Sequence, residues 1–120
     1  MPESNKIKEL LNKYYEKLNN KEDFSFLLSD DFLLTGTVNK ETKGKIDYIN
    51  NNFFKGVRNL AIKKMIIDED SAFVLVNYEL ISPKGNKFNA DVAEMWSIKN
   101  NKLDSIAIYF DTAYFQKEMS

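Results

Sequence analysis

A single acidic side chain, Glu94, interrupts an apolar pattern in the segment NADVAEMWSIK. If this segment is a β-strand, its side chains alternate between two faces, and one face carries Glu94 together with five apolar residues: Phe88, Ala90, Val92, Trp96 and Ile98. A carboxylate on such a face must be paired, be neutral or line a cavity, because an unpaired buried charge is costly. Glu94 is therefore the first candidate for acid/base chemistry.

The surroundings of Glu94 allow two interpretations. In the first, Glu94 is an acid at the wall of an apolar pocket, which raises its pKa and makes it a proton donor and acceptor. In the second, it pairs with a lysine on a neighbouring strand or lies at an open rim that water reaches. The nearby Asp91 falls on the opposite face of the strand, which predicts a surface or dimer-interface position.

The residue types that are absent restrict the chemistry. The 120 residues include no histidine and no cysteine, so disulfides, thiolate nucleophiles and the commonest metal ligands are missing. The acidic run DEDS at 68–71 lacks the spacing of an EF-hand and fits a hairpin turn, and there is no glycine-rich phosphate loop. We therefore predict neither a metal nor another cofactor, and assign any chemistry to carboxylates, tyrosines, lysines or amides.

The charge and hydropathy of the chain indicate which kinds of partner to expect. With 17 basic and 18 acidic residues the net charge is -1, and without a basic stretch we expect no nucleic-acid partner. The N-terminal MPESNKIKEL has no apolar run typical of a signal peptide, and no stretch approaches the ~20 apolar residues that cross a bilayer. We expect no membrane association, a cytoplasmic location and one domain over residues 1–120.

Helical spacing dominates the first half of the chain. Apolar residues recur at helical intervals from a predicted N-cap at Ser4 to about Leu18, and a short second helix precedes a brief strand at DFLLTGT. A third helix in KIDYINNNFFKG would end at Gly56. The second helix would pack through Phe24, Leu27 and Leu28, and the third through Ile46, Ile49 and Phe53.

Strand patterns fill the second half of the chain. They cover about 60–67, 72–82, 87–99 and 102–112, and turns at DEDS, PKGN and NN join them into hairpins. On the second of these strands Val74, Val76, Tyr78 and Leu80 form the cleaner apolar face, which leaves Asn77 and Glu79 facing outward. Helices first and a strand meander last predict an α+β fold, with the helices packed on one face of a curved sheet.

The order of three segments, KYYEKLNNKEDFSFLLSDDF, GKIDYINNNFF and AEMWSIKNNKLDSIAIYFDTA, resembles the nuclear transport factor two-like (NTF2-like) superfamily. Within that superfamily the chain is most similar to the SnoaL-type and ketosteroid-isomerase-type proteins, over nearly its whole length. The resemblance implies a cone-shaped, curved antiparallel sheet wrapped around three N-terminal helices, with a pocket open at one end. Such folds host isomerases, cyclases, dehydratases and domains that only bind or dimerise, so the fold does not fix the chemistry.

The resemblance also implies roles for single residues. Tyr14, in KYYEKLN, matches the oxyanion tyrosine of ketosteroid isomerase, and Glu94, in EMW, matches its neutral acid. The general base of that enzyme falls at Gly36, between Thr35 and Thr37, and a hydroxyl is no base at neutral pH without an activating partner. In SnoaL-type cyclases the implied acid/base group is a pocket carboxylate, and Glu94 is again the candidate.

The surroundings of these residues complete the predicted site. Ligand-pocket positions are expected at Trp96, Phe110, Ile108, Val92, Phe53 and Tyr15. Tyr14 has a competing interpretation as a core residue, because a tyrosine in an apolar helical stripe usually packs inside.

Arg58 begins a strand and is expected as a surface ion-pair partner in preference to an anion clamp. The outer sheet face carries Ala93, Met95, Ala107 and Tyr109, which predicts a homodimer.

Two functions are consistent with this pattern. The first is a cofactor-independent isomerase, cyclase or dehydratase for a small hydrophobic molecule, with Glu94 as acid/base and Tyr14 donating to the developing oxyanion. The second is a non-catalytic dimeric domain that binds an apolar ligand or serves as an interaction scaffold.

Overall fold

The computed structural model describes residues 2–36 and 43–119. The elements in these ranges are α1 (Pro2–Asn19), a 3-10 turn (Ser25–Leu27), β1 (Leu28–Gly36), β2 (Lys43–Gly44), α2 (Lys45–Ile49), α3 (Phe53–Gly56), β3 (Val57–Asp68), β4 (Ser71–Ile81), β5 (Lys87–Lys99), β6 (Lys102–Phe110) and α4 (Thr112–Met119). None of these helices combines the length and the apolarity that crossing a membrane requires.

The strands form one six-stranded sheet in the order β2-β1-β6-β5-β4-β3. The long strands from β3 to β6 are antiparallel neighbours, as the hairpin turns predict, and β1 lies parallel to β6. The sheet is curved and does not close, and the helices pack on its inner face, which confirms the predicted α+β cone. The parallel β1–β6 pair was not predicted, because the sequence pattern gives no information about which strand β1 joins.

The inner face of the sheet and α1 share one core. Alternation along β4 is as predicted: Val74, Val76, Tyr78 and Leu80 are buried. Asn77 faces outward, where its side-chain amide donates to Asp91 at 2.9 Å. On α1, Leu11 is fully buried in the same core. The cone is therefore held by apolar contacts between one helix stripe and alternate strand positions.

The N-terminal elements differ from the predictions in three places. The first helix begins at Pro2 and not after Ser4, consistent with the preference for proline at the first helical position. The predicted second helix is a single 3-10 turn, because the chain enters β1 at Leu28 immediately afterwards. β1 is accordingly longer than predicted, and residues 37–42, which follow it, lie outside the described residues.

The predicted third helix is broken into α2 and α3 by three consecutive asparagines. Asparagine side chains compete for backbone hydrogen bonds, and the Asn51 side chain accepts one from the Phe53 amide at 2.9 Å. The residues that face inward also differ from the prediction: Ile46 is 72 % exposed, and Tyr48 is buried instead. The prediction that Ile46 packs inside is therefore wrong.

The structure favours glycine at position 56 for a reason other than the predicted helix C-cap. A Cβ at this position would lie 3.0 Å from the carbonyl oxygen of Ile81, so a side chain would require the backbone of β4 to shift by a few tenths of an ångström. β3 then begins at Val57, three residues earlier than expected.

The last predicted strand ends early and an unpredicted helix follows. β6 stops at Phe110, and the side chain of Asp111 accepts the backbone N–H of Tyr114 at 3.0 Å, which caps the start of α4. The Asp–Thr pair before spaced apolar residues is an N-cap signal that the strand interpretation overlooked.

We predict that Leu11→Ala lowers the free energy of unfolding by about 2 to 5 kcal/mol, because it leaves a cavity where α1 meets the sheet. The control Leu33→Ala removes a side chain that is 48 % exposed and should change stability by no more than about 0.5 kcal/mol. Urea unfolding of both variants provides the measurement. If both variants lowered the free energy of unfolding by the same amount, α1 would not share the core.

Candidate active site

A cavity of about 690 Å³ opens between the inner face of the sheet and the short helices. Its size is within the usual range for small-molecule sites. Its walls are mainly apolar and are formed by Phe53, Phe54, Val92, Ile108, Phe110 and Phe115, among others. The ring of Phe115 contacts those of Phe110 and Phe53, with centroid separations of 5.2 and 6.2 Å. The cavity therefore offers an aromatic surface to an apolar molecule.

Glu94 lies in the wall of this cavity and is only 4 % exposed. It sits in the middle of β5, opposite Val74 on β4 and Ile108 on β6. Its partners are phenols rather than a lysine. The Tyr15 hydroxyl donates a short hydrogen bond to Oε1, and the Tyr78 hydroxyl donates to Oε2 at 2.6 Å. Neither the lysine-paired nor the open-rim interpretation describes this arrangement.

The two phenols are themselves fixed by the core. The indole Nε1 of Trp96 donates to the Tyr15 hydroxyl at 3.0 Å, so the phenol both accepts one hydrogen bond and donates another. Burial raises the pKa of Tyr15 and Tyr78 well above its usual value, and the neighbouring Glu94 adds to that shift. Both hydroxyls therefore keep their protons at neutral pH and remain donors to the carboxylate.

Two opposing effects set the protonation of Glu94. Burial raises its pKa from 4.5 to about 7, and the hydrogen bonds from Tyr15 and Tyr78 favour the charged form and limit that rise. A carboxylate has about four lone-pair sites, so two remain for a ligand or its proton. With both protonation states accessible near neutrality, Glu94 has the properties of a general acid and base.

A second pair of phenols lies beside the first. The hydroxyls of Tyr14 and Tyr48 share a short hydrogen bond, and Tyr48 lines the cavity. Tyr14 lies behind it, where its ring contacts Phe24 and Trp96. Tyr48 thus occupies the position at the cavity that the resemblance implied for Tyr14.

The predicted site residues separate into two groups. Glu94, Val92, Phe53, Ile108 and Phe110 line the cavity. Tyr14, Tyr15 and Trp96 are almost fully buried behind its wall and do not line it. The structure brings the first group together around one space, and connects the second group to that space only through hydrogen bonds and ring contacts.

Two tyrosines near Glu94 were not proposed from the sequence. Tyr78 was placed correctly on the inner face, yet nothing in its strand pattern marked it as a partner of Glu94. The strand register does not mark it either, because Tyr78 lies opposite Ala90, and its long side chain reaches Glu94 along the inner face. Tyr48 was missed because the predicted third helix turned Ile46 inward instead.

Two threonines flank the position that the resemblance gives to the general base. Thr35 lines the cavity near the end of β1, whereas Thr37 lies outside the described residues. Among the described residues that line the cavity, Glu94 is the one carboxylate. Within residues 2–36 and 43–119, no group of three or more acidic side chains could hold a metal ion.

Among the described residues, Arg58 has no partner for the predicted surface ion pair. The described carboxylates form no ion pair with it, and its Nη1 donates to the Lys55 carbonyl at 3.2 Å. Its exposed side chain instead lines the edge of the cavity.

The fold matches solved structures of several proteins. A protein from Jannaschia sp. CCS1, provisionally assigned as a SnoaL-like polyketide cyclase, has a TM-score of 0.81 and 10% identity, with 97% of this chain and 92% of that chain covered. An NTF2-like protein of unknown function from Burkholderia pseudomallei K96243 has a TM-score of 0.83 and 16% identity, with coverage of 96% and 98%. TerC, co-crystallized with polyporic acid, has a TM-score of 0.80 and 17% identity, with coverage of 92% and 95%.

These similarities confirm the predicted resemblance at the level of the fold. No family model matches the sequence, and no curated protein matches it. At such low identities the neighbours establish the NTF2-like architecture and leave the chemistry to be argued from the cavity.

We predict that the raised pKa of Glu94 makes the folded state less stable as the pH rises. Between pH 4.5 and about 7 the unfolded chain has released the Glu94 proton while the folded chain retains it, so the free energy of unfolding falls across this window. The loss should total about 3 kcal/mol and be complete above the folded pKa.

Urea unfolding of the wild type and Glu94→Gln between pH 4 and 8 measures this effect. Glutamine cannot titrate. The free energy of unfolding of the wild type should therefore fall, relative to that of Glu94→Gln, as the pH rises from 4.5 to about 7. Parallel pH profiles would contradict the assignment of Glu94 as a buried, titrating group.

Proposed function

We propose that the protein binds a small apolar molecule in the cone cavity and moves a proton on it, with Glu94 as the acid and base. The observation that carries this proposal is the placement of one ionisable carboxyl, oriented by two tyrosine hydroxyls, in the wall of an otherwise apolar cavity. Perturbed acids in such cavities are common features of catalytic sites. The reaction class is a cofactor-independent isomerisation, cyclisation or dehydration of a carbonyl compound.

The first step uses the carboxylate form of Glu94. One oxygen takes a proton from the carbon next to a ligand carbonyl, the C–H bond breaks, and its electron pair forms an enolate. Glu94 is then neutral, which suits its apolar surroundings. Return of the proton from Glu94 to another carbon gives an isomer. Alternatively, the enolate carbon attacks a second carbonyl and closes a ring, the π bond of that carbonyl breaks, and the resulting alkoxide takes the proton from Glu94. In both outcomes Glu94 ends in its starting form.

The enolate oxygen requires a hydrogen-bond donor. Tyr48 lines the cavity, and its hydroxyl shares a hydrogen bond with that of Tyr14. With Tyr14 as the donor of that hydrogen bond, the hydroxyl hydrogen of Tyr48 is free to point at the ligand. Burial keeps the pKa of both phenols well above its usual value, so they act as donors that stay protonated. We assign Tyr48 the direct contact and Tyr14 the supporting position.

The structural neighbours support a small organic ligand. TerC was crystallised together with polyporic acid, and the Jannaschia protein carries a provisional assignment as a cyclase. Both have this fold over more than nine-tenths of the present chain. They favour an enzyme or ligand-binding role over a purely structural one, without identifying the ligand.

We predict that the protein accelerates exchange of α-hydrogens for deuterium in members of a panel of hydrophobic ketones, measured by proton NMR in D₂O. Glu94→Gln removes the acceptor and should slow that exchange by about 10²- to 10⁴-fold. Asp91→Asn removes a carboxylate from the outer sheet face, where it bonds Lys63 and Asn77, and should leave the rate unchanged. Unaltered exchange by Glu94→Gln would reject the catalytic assignment.

A second candidate function, a dimeric binding or scaffold domain, is favoured by the outer face of the sheet. There Met95 is 51 % and Tyr109 47 % exposed, in the middle of long strands. Phe73, Leu75, Ala93 and Ala107 extend the same apolar patch across neighbouring strands. Such a patch typically marks an interaction surface, and a second copy of the chain is the proposed occupant.

We predict that Met95→Lys, which places a charge in that patch, weakens self-association by at least about tenfold because the charge would have to be desolvated in the dimer. Ile46→Lys introduces the same charge at a highly exposed position on α2 and serves as the control. Sedimentation velocity over a concentration series measures the change. A wild type that stays monomeric throughout would contradict the dimer.

A further inference from the structure

Two exposed cationic side chains, Lys55 and Arg58, line the rim of the cavity. Lys55 belongs to α3 and Arg58 to the start of β3, so they flank the point at which the helix turns into the sheet. The hydrogen bond from Arg58 Nη1 to the Lys55 carbonyl, at 3.2 Å, restrains the guanidinium beside that turn. The rim cations are therefore held by the same backbone segment that forms the edge of the cavity.

Within residues 2–36 and 43–119, no acidic side chain lies within ion-pair distance of the positive charges at this rim. The described carboxylates form no ion pair with Lys55 or Arg58, and the cavity's own carboxyl, Glu94, lies buried in its wall. Lys21 adds to the charge from just behind the rim, where its Nζ donates to the carbonyls of Phe54 and Val57. Burial, and secondarily the charge of Arg58, lowers the pKa of Lys21, as expected for crowded cations.

The cavity thus changes character from rim to wall. Its edge is cationic and its walls are mainly aromatic and aliphatic. The buried polar side chains that line it are those of Glu94, Tyr48, Tyr78 and Ser82. A guanidinium and an ammonium side by side match a carboxylate or phosphate, the guanidinium by two parallel hydrogen bonds and the ammonium as a point charge. A purely apolar ligand would leave these charges without a partner.

We propose that the ligand of this cavity is an organic anion, with an apolar body and a carboxylate or phosphate group that Arg58 and Lys55 bind at the rim. The inference rests on the proposed function and refines its substrate class. The anionic end stays near water, the apolar body fills the cavity, and the reacting carbonyl reaches Glu94 and Tyr48. The rim cations also fix which end of the ligand enters first, because an anion placed beside Glu94 would be repelled once that group ionises.

Two fluorescent probes of matched shape test the proposal. 1-Anilinonaphthalene-8-sulfonate has an apolar body and one anionic group, and N-phenyl-1-naphthylamine is the same molecule without the sulfonate. The double variant Lys55→Gln/Arg58→Gln should bind the sulfonate probe about tenfold or more weakly, since charge-assisted hydrogen bonds are lost. Its affinity for the neutral probe should change by no more than about twofold, because the apolar walls are untouched.

A second double variant controls for net charge. Lys64→Gln/Lys99→Gln removes the same number of charges from exposed positions that do not line the cavity, and should bind both probes as the wild type does. Amide NMR shifts of Ile108 and Phe110 on titration show that each probe occupies the cavity.

The outcomes separate this inference from the proposed function. If both probes bind in the cavity and the rim variant weakens them equally, or not at all, the anionic ligand is rejected and the apolar binding site stands. The anionic ligand is likewise rejected if the two double variants bind the sulfonate probe with the same affinity. If neither probe shifts the cavity amides, both the anionic ligand and the proposed binding function are overturned.

Discussion

The site depends on a balance between burying a carboxyl and supplying it with hydrogen bonds. Without Tyr15 and Tyr78 the charged form of Glu94 would be strongly disfavoured inside the cone, and the group would remain a neutral acid over a wide pH range. Without burial it would be an ordinary surface carboxylate. The structure combines both, which brings the pKa to about 7 and keeps each state within reach of the other.

The architecture of the cone creates that balance from elements far apart in sequence. Tyr15 comes from α1, whereas Glu94 and Tyr78 come from adjacent strands of the sheet. Curvature of the sheet brings its inner face around α1, so a helix phenol can reach the middle of β5. Trp96 then fixes Tyr15 from behind. The buried network leaves no described side-chain polar atom without a partner, as expected when polar groups must be accommodated in an apolar core.

The sequence predicted the parts that follow from local periodicity. Alternation along β4 and β5 placed Glu94, Val92 and Tyr78 on the inner face. The order of helices and strands predicted helices packed on a curved sheet, and the resemblance implied the cone. Contacts between residues far apart in the sequence could not be predicted in this way. No pattern within α1 shows that Tyr15, and not the neighbouring Tyr14, is the partner of Glu94. One continuous helix with Ile46 inward was also predicted. The Asn51 side chain competes for backbone hydrogen bonds at the break after α2, and Tyr48 is buried where Ile46 was expected to be.

The most direct test of this account is the protonation of Glu94 itself. Carboxyl carbon NMR of the wild type from pH 4 to 9, with Glu94→Gln to assign the signal, yields its pKa. The account predicts a value of about 7, well above the usual 4.5 of a glutamate. A midpoint near 4.5 would show that the carboxyl is solvated in the cone, and would contradict its role as the acid and base of the cavity.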